Sequence, residues 1–227
     1  MAGRKSVDPE REAQRLARML EYEHELWARG HALVAGLDEV GRGCIAGPVV
    51  AAAVVLPPGA MAEGINDSKL LSAKKRAALA EAIKRVALDW AIAAVSPACI
   101  DAVNILQATR LAMGMAVRGL NPMPDYLLVD AVRLPDVALP QQAIIKGDQR
   151  SMSIAAASIL AKVERDAMMA RYGAIYAGYG FERHAGYGTA EHRRAIEAQG
   201  PCPLHRMSFA PLKGCDEAAA TVQPPLF

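Results

Sequence analysis

Apolar positions recur along the chain in two periods, one suited to helices and one to buried strands. Between Glu10 and Arg29, Leu16, Met19, Leu20, Leu26 and Trp27 fall at helical spacing, predicting one amphipathic helix stopped by Gly30. Leu33–Leu37 is short, uncharged and apolar, as a buried strand should be. It runs straight into Asp38 and Glu39, then into Gly41-Arg42-Gly43, whose glycines suit a tight turn or a close approach to a ligand. Val49–Leu56 is a second strand, ended by Pro57-Pro58-Gly59. Ser72 caps a predicted helix to about Val86, and Trp90–Val95 is a third strand. Ser96-Pro97 opens another helical region that reaches Gly119. Tyr126–Val129 is a short strand ending at Asp130, and Ala143–Ile145 is a brief apolar run ending at Lys146-Gly147-Asp148. Ser151 and Ser153 introduce an alanine-rich helix from about Ile154 to Ala170. A connection rich in glycine and tyrosine, Tyr172–Gly188, leads to a helix capped by Thr189 and running to Gln199.

Strands that begin as a hairpin and then alternate with helices predict an α/β fold. The expected form is a mixed β-sheet flanked by helices, with a helical C-terminal addition. The expected division is a helical extension over 1–30, one α/β unit with its helical C-terminal part over 31–213, and a flexible tail over 214–227. At 227 residues, 52% hydrophobic and 22% charged, the chain can bury one substantial core. Its formal charge of +2 means that any attraction to a polyanion must be local. The four cysteines lack Cys-x-x-Cys spacing, and Cys202, His205 and Cys215 fit no usual zinc pattern. No secretory signal or membrane span is visible, so a cytoplasmic protein is expected.

The chemistry lies in acids at strand ends: Asp38-Glu39, Asp130 and Asp148. Ionised carboxylates at the edge of a buried sheet are costly unless paired, and either a divalent cation or a cationic side chain such as Arg42 meets that need. Strand-end aspartates also serve as plain turn residues. Should the acids converge, oxygen-only ligands favour Mg²⁺ or Mn²⁺, and a pair of such ions suits in-line displacement at a phosphodiester. Ser68, Lys69, Lys146 and Ser151 lie in loops where they can donate to phosphate oxygens, against the alternative that they are merely solvated. Tyr187, set between Gly186 and Gly188, offers a ring to a sugar or base or else packs half-buried; His184 nearby reads as a surface histidine.

Taken together, several stretches closely resemble ribonuclease HII of the bacterial type. They are Gly36-Leu-Asp-Glu-Val-Gly-Arg-Gly-Cys-Ile-Ala-Gly-Pro-Val, Asn66-Asp-Ser-Lys, Ile100-Asp-Ala-Val-Asn-Ile-Leu-Gln-Ala-Thr, Leu128-Val-Asp, Lys146-Gly-Asp, Ser153-Ile-Ala-Ala-Ala-Ser-Ile-Leu-Ala-Lys-Val-Glu-Arg-Asp, Tyr179-Gly-Phe-Glu-Arg-His-Ala-Gly-Tyr-Gly-Thr and His205-Arg-Met-Ser-Phe. They follow the family's order from about Leu33 to Leu212. The resemblance implies a ribonuclease H-like fold in the unit 31–213. It also implies endonucleolytic cleavage of the RNA strand of RNA–DNA hybrids, and incision 5′ to single ribonucleotides in duplex DNA, leaving 3′-hydroxyl and 5′-phosphate ends. It places two divalent ions, Mn²⁺ or Mg²⁺, on Asp38, Glu39, Asp130 and Asp148. Contact with the ribonucleotide falls to Gly41, Arg42 and Gly43, phosphate contact to Asp67-Ser68-Lys69, and sensing of the RNA–DNA junction to Tyr187. The implied roles are ribonucleotide removal and primer removal; a monomer is expected, though nothing in the sequence requires or excludes an oligomer.

The sequence departs from the family pattern at three places. Ala131-Val132 follow Asp130 where Gly-Asn is usual, Cys44 replaces a proline, and Ala185 replaces a lysine. No acidic ligand is lost, so substrate affinity rather than reaction class is affected. Asp166 is read as structural. Gln223-Pro-Pro-Leu-Phe resembles the short peptides that dock on the bacterial sliding clamp, with Leu226 and Phe227 as anchors; an incidental tail is the alternative. Two rival functions are a nuclease of the same fold acting on DNA junctions and a catalytically silent hybrid-binding module.

Overall fold

The computed structural model describes residues 9–60, 65 and 72–213. The loop carrying Ser68 and Lys69, and the tail with Gln223–Phe227, lie outside the described residues. Five strands form one sheet: β1 (Val34–Val40), β2 (Val49–Val55), β3 (Asp89–Val95), β4 (Tyr126–Asp130) and β5 (Gln141–Ile144), in the order β3-β2-β1-β4-β5. The first three strands pair antiparallel, whereas β4 lies parallel to β1 and β5 parallel to β4. Parallel neighbours bring their C-terminal ends to one edge of a sheet. Here that brings the ends of β1 and β4 together.

Alternation along the strands separates two packed layers. Ala35 and Leu37 of β1, Leu127 and Val129 of β4, and alternate residues of β2 pack against α5 (Ile105–Arg118) and Ile100 of α4 (Pro97–Val103). The opposite face carries Ala52 and Val54 and is covered by α6 (Met152–Ile175) and α3 (Ala73–Val86). From Met152 to Ala161 every residue of α6 is buried, as expected of a helix without a polar face. Gly36 permits its approach, because a Cβ there would lie 2.1 Å from the Ser153 carbonyl carbon.

The single N-terminal helix expected from the apolar spacing is two helices, α1 (Pro9–Met19) and α2 (Glu21–Ala28). The break at Leu20 lets Leu16, Met19 and Leu20 join the α6 layer while Leu26 packs against Val34 and Leu128. Buried Glu23 of α2 fixes this extension to the start of α6. Its Oε1 accepts from the Ser151 hydroxyl (2.6 Å), the Ser153 hydroxyl (2.6 Å) and the Ser153 amide (3.0 Å). The region between Pro97 and Gly119 is likewise split, at Asn104, whose φ of 69° ends α4 and whose side chain caps α5. Ser72 caps α3 and Thr189 caps α8 (Ala190–Gln199), both as the sequence predicts. α6 continues past Ala170 to Ile175, and a short helix, α7 (Phe181–His184), interrupts the connection that follows. Among the described residues, no helix is long and apolar enough to cross a membrane.

Candidate active site

Strand register assembles the acids. Leu37 pairs with Val129, so Asp38 and Asp130 follow side by side at the end of two parallel strands. Both belong to the parity that faces α6, since Leu37 and Val129 face the other layer. Glu39 follows Asp38, and carboxylate oxygens of Asp38, Glu39 and Asp130 all lie within 4.8 Å of one another. Asp38 is only 6% exposed. Its Oδ1 accepts from the Glu39 amide at 2.7 Å. Ser158 of α6 adds a side-chain hydrogen bond to the same carboxylate. Asp130 Oδ1 accepts the Gly147 amide at 2.7 Å.

Asp148 stands outside that group of three. It is buried in a 3-10 turn, Gly147–Gln149, one residue beyond the amide that holds Asp130. The exposed Lys146 opens this turn in a left-handed conformation, φ 56°. Ala131 is also left-handed, φ 54°. It stands where the family pattern has glycine, and a residue with a Cβ is strained there.

Burial, and next the charge on Glu39, push the Asp38 carboxyl well above its ordinary range. Burial raises Glu39 too, against the opposing pull of Arg42. Arg42 Nη1 donates to Glu39 Oε1 at 3.1 Å, and Glu39 Oε2 is buried with no hydrogen-bond partner. The group therefore carries more negative character than its protein neighbours satisfy. Oxygen donors alone, a buried orphan lone pair and mutual repulsion fit a hard divalent cation. A divalent cation fits these residues. Arg42, the rival partner considered from the sequence, meets only one oxygen of Glu39.

The turn after β1 is held from behind by two fully buried arginines. Arg165 of α6 donates to the carbonyls of Pro48 (2.9 Å), Ala185 (2.8 Å) and Ala46 (3.2 Å). Arg206 donates to Gly41 (2.7 Å), Arg42 (3.0 Å) and Gly47 (2.8 and 3.0 Å). Burial lowers Arg206 to about 10, so it remains charged at neutral pH. Gly41 must lack a Cβ because one would sit 2.2 Å from Arg165 Nε. Gly43 differs: it is exposed, and a Cβ there would meet nothing within 4 Å. The fold does not demand glycine at that point, and a bare backbone facing solvent leaves room for something outside the chain.

Tyr187 belongs to the same assembly. The Gly186 carbonyl accepts from the amides of Ile45 (3.0 Å) and Ala46 (3.3 Å), so the tyrosine is bound to the segment that follows the Gly-Arg-Gly turn. Tyr187 remains 44% exposed. Ser151 does not face a ligand: it is buried, caps α6 and donates to Glu23, so the phosphate contact expected of it is withdrawn. His184 is buried rather than superficial, at 9% exposure, with Nε2 on the Tyr179 carbonyl. Asp166 pairs with Lys162 and Arg76 on the helix surface, a structural role as read. Cys202 is buried and its thiol is pushed up to about 11, which disfavours the thiolate a metal requires.

Sequence reasoning missed Ser158, Arg165 and Arg206. For the first two a signal existed. Ser158, Ala161 and Arg165 share one helical face, and Ala161 is at the core, so a buried partner for the arginine was implied.

With the geometry in place, comparison with known proteins settles the family. The sequence model of the family described as Ribonuclease HII matches residues 35–212. The chain belongs to the ribonuclease HII family. Ribonuclease HII of Syntrophomonas wolfei subsp. wolfei is 54% identical over 202 residues, covering 89% of this chain and 79% of that protein. Among solved structures, ribonuclease H2 from Pyrococcus horikoshii OT3 superposes with a TM-score of 0.65 at 25% identity, over 79% of this chain and 95% of that one. The ribonuclease HII of Archaeoglobus fulgidus, solved as a complex with PCNA, gives a TM-score of 0.67 at 28% identity, over 77% and 94% of the two chains. Membership makes this chain a ribonuclease H enzyme, of a family that uses divalent metals, and its acidic cluster could hold one.

Proposed function

We propose that this ribonuclease HII cleaves the RNA strand of RNA–DNA hybrids and also incises 5′ to a single ribonucleotide embedded in duplex DNA, leaving 3′-hydroxyl and 5′-phosphate ends. Asp38, Glu39 and Asp130 hold the metal, with Asp148 as the fourth carboxylate from the adjoining turn, for two ions of Mg²⁺ or Mn²⁺. Such ions supply Lewis-acid stabilisation of charge at the phosphate and at the departing oxygen.

The observation that carries the reading is that one continuous segment bears both chemistry and recognition. Asp38 and Glu39 lead directly into the Gly41–Gly43 turn, and that segment is hydrogen-bonded to the turn bearing Tyr187. A 2′-hydroxyl is both donor and acceptor, and a backbone unencumbered by Cβ at Gly43 can meet it at close range. Arg42, partly exposed beside Glu39, draws a phosphate toward the acids and offsets their charge. Lys146, Ser68 and Lys69 bind neighbouring phosphates. The exposed Tyr187 ring stacks on the sugar after the ribonucleotide and crowds against a second 2′-hydroxyl, favouring a deoxyribose there.

A duplex carrying one ribonucleotide tests this, with the products mapped at nucleotide resolution. A single metal-dependent cut on the 5′ side supports the reading, and an intact duplex under conditions where a continuous hybrid is cut rejects it. The associated roles are ribonucleotide removal and primer removal in the cytoplasm. Gln223–Phe227 would tether the enzyme to a sliding clamp, as the PCNA complex of the archaeal relative suggests by analogy. Removing residues 223–227 should then weaken clamp binding, and an unchanged titration would dismiss the tether.

A further inference from the structure

Behind Tyr187 lies a buried cluster of imidazoles that is separate from the acidic group. His192 is 0% exposed and His205 3% exposed. His192 Nδ1 lies 2.9 Å from the Tyr187 carbonyl, and its Nε2 lies 3.0 Å from His205 Nε2. His205 Nδ1 lies 2.9 Å from the Cys202 amide and 3.1 Å from the Cys202 carbonyl. A carbonyl can only accept, so His192 carries its proton on Nδ1 and, when neutral, turns a lone pair toward His205. His205 then carries its proton on Nε2 and takes the Cys202 N–H at Nδ1. With two neutral rings this arrangement satisfies the three contacts that link Cys202 N–H to the Tyr187 carbonyl, and the Cys202 carbonyl takes no proton from His205. Burial favours that neutrality: it lowers His192, and it lowers His205 to about 4.

The arrangement ends on the tyrosine. The Tyr187 carbonyl also accepts the Thr189 amide (2.8 Å), and the Tyr187 amide donates to the His184 carbonyl (3.0 Å). His184, stacked on His192 with centroids 4.4 Å apart, takes the Gly186 amide on Nδ1 at 3.2 Å. The Gly186 amide and the Tyr187 carbonyl are thus held by side chains of the buried cluster, while Tyr187 itself is 44% exposed. Packing alone would not need this. A phenylalanine at 192 would fill a cavity already bounded by Phe181 and His184, without two ring nitrogens to desolvate.

We propose that His192, oriented by His205, is a positioning residue that sets where the Tyr187 ring meets substrate. Through it, this imidazole pair tunes the preference for isolated ribonucleotides over continuous hybrids. The inference rests on the proposed sensing role of Tyr187.

The test measures kcat/KM on a single-ribonucleotide duplex and on a continuous hybrid, and takes the ratio, for the full-length enzyme and variants. His192→Phe keeps the shape and removes the donor; the ratio should fall about fivefold. His192→Asn keeps an N–H near the Nδ1 position and should restore most of it. His205→Leu leaves the buried His192 Nε2 lone pair without its donor, loosens the ring and should lower the ratio, whereas His205→Gln keeps an N–H near that lone pair and should preserve it. These last two carry the test should His192→Phe fail to fold. In a Tyr187→Ala background, His192→Phe should change the ratio no further. An unchanged ratio in both His192→Phe and His205→Leu, or an equal fall with and without the tyrosine ring, overturns the positioning role while leaving Tyr187 sensing intact. A Tyr187→Ala ratio equal to wild type overturns both.

Discussion

Desolvation and the neighbouring carboxylate make the charged form of Asp38 expensive, so a neutral amide there should act oppositely on folding and on cleavage. Asp38→Asn is expected to raise the melting temperature of the metal-free enzyme by about 2–4 °C for each kcal/mol of repulsion removed, while reducing hybrid cleavage about a thousandfold or more. Melting in chelator alongside a cleavage assay checks both signs. Ala131, with φ 54°, is strained, and Ala131→Gly should stabilise by about 1 kcal/mol in a denaturant titration. His205 adds a pH dependence of its own to stability. Its folded value, about 4, lies below the ordinary 6.5, so its contribution is complete above pH 6.5 and is lost as pH falls toward 4. That window is worth about 3 kcal/mol, and His205→Gln should flatten it in stability measured against pH. The acids themselves were legible at this scale because each ends an apolar run. The histidines were not: their roles depend on which carbonyl or ring nitrogen each one meets, and no spacing encodes that.

Among the elements, α6 has the most to do. It covers β1 through the contact at Gly36, presents Ser158 to Asp38 and sends Arg165 to the turn after β1. Gly36→Ala would force the helix off the strand, and a loss of several kcal/mol is expected in equilibrium unfolding, with cleavage falling in proportion to the unfolded fraction. Arg206→Met would leave the carbonyls of Gly41, Arg42 and Gly47 without their donor. It should cost roughly 3 kcal/mol and weaken cleavage of both substrates together, which separates it from the histidine variants. The strands and caps were readable because short apolar runs and Ser or Thr before a periodic segment have local causes. The breaks at Leu20 and Asn104 were not, since each exists to let flanking apolar residues reach different neighbours.

For the whole molecule, parallel pairing of β1 with β4 in the register Leu37 to Val129 turns distant sequence acids into one group. The pattern of apolar runs indicated a mixed sheet and strand-end acids. Register, and with it which carboxylates meet, follows from packing that runs the length of the chain. Asp148 shows the limit: the sequence places it after a strand like the others, but the left-handed Lys146 turns the chain into a 3-10 turn before it is reached. Titration of Mn²⁺ by calorimetry into wild type and Asp38→Asn tests the central claim most directly. The account predicts saturable binding to the wild type and at least about tenfold weaker binding to the variant. Equal affinities, with cleavage still metal-dependent, would contradict it by placing the working cation away from Asp38, Glu39 and Asp130.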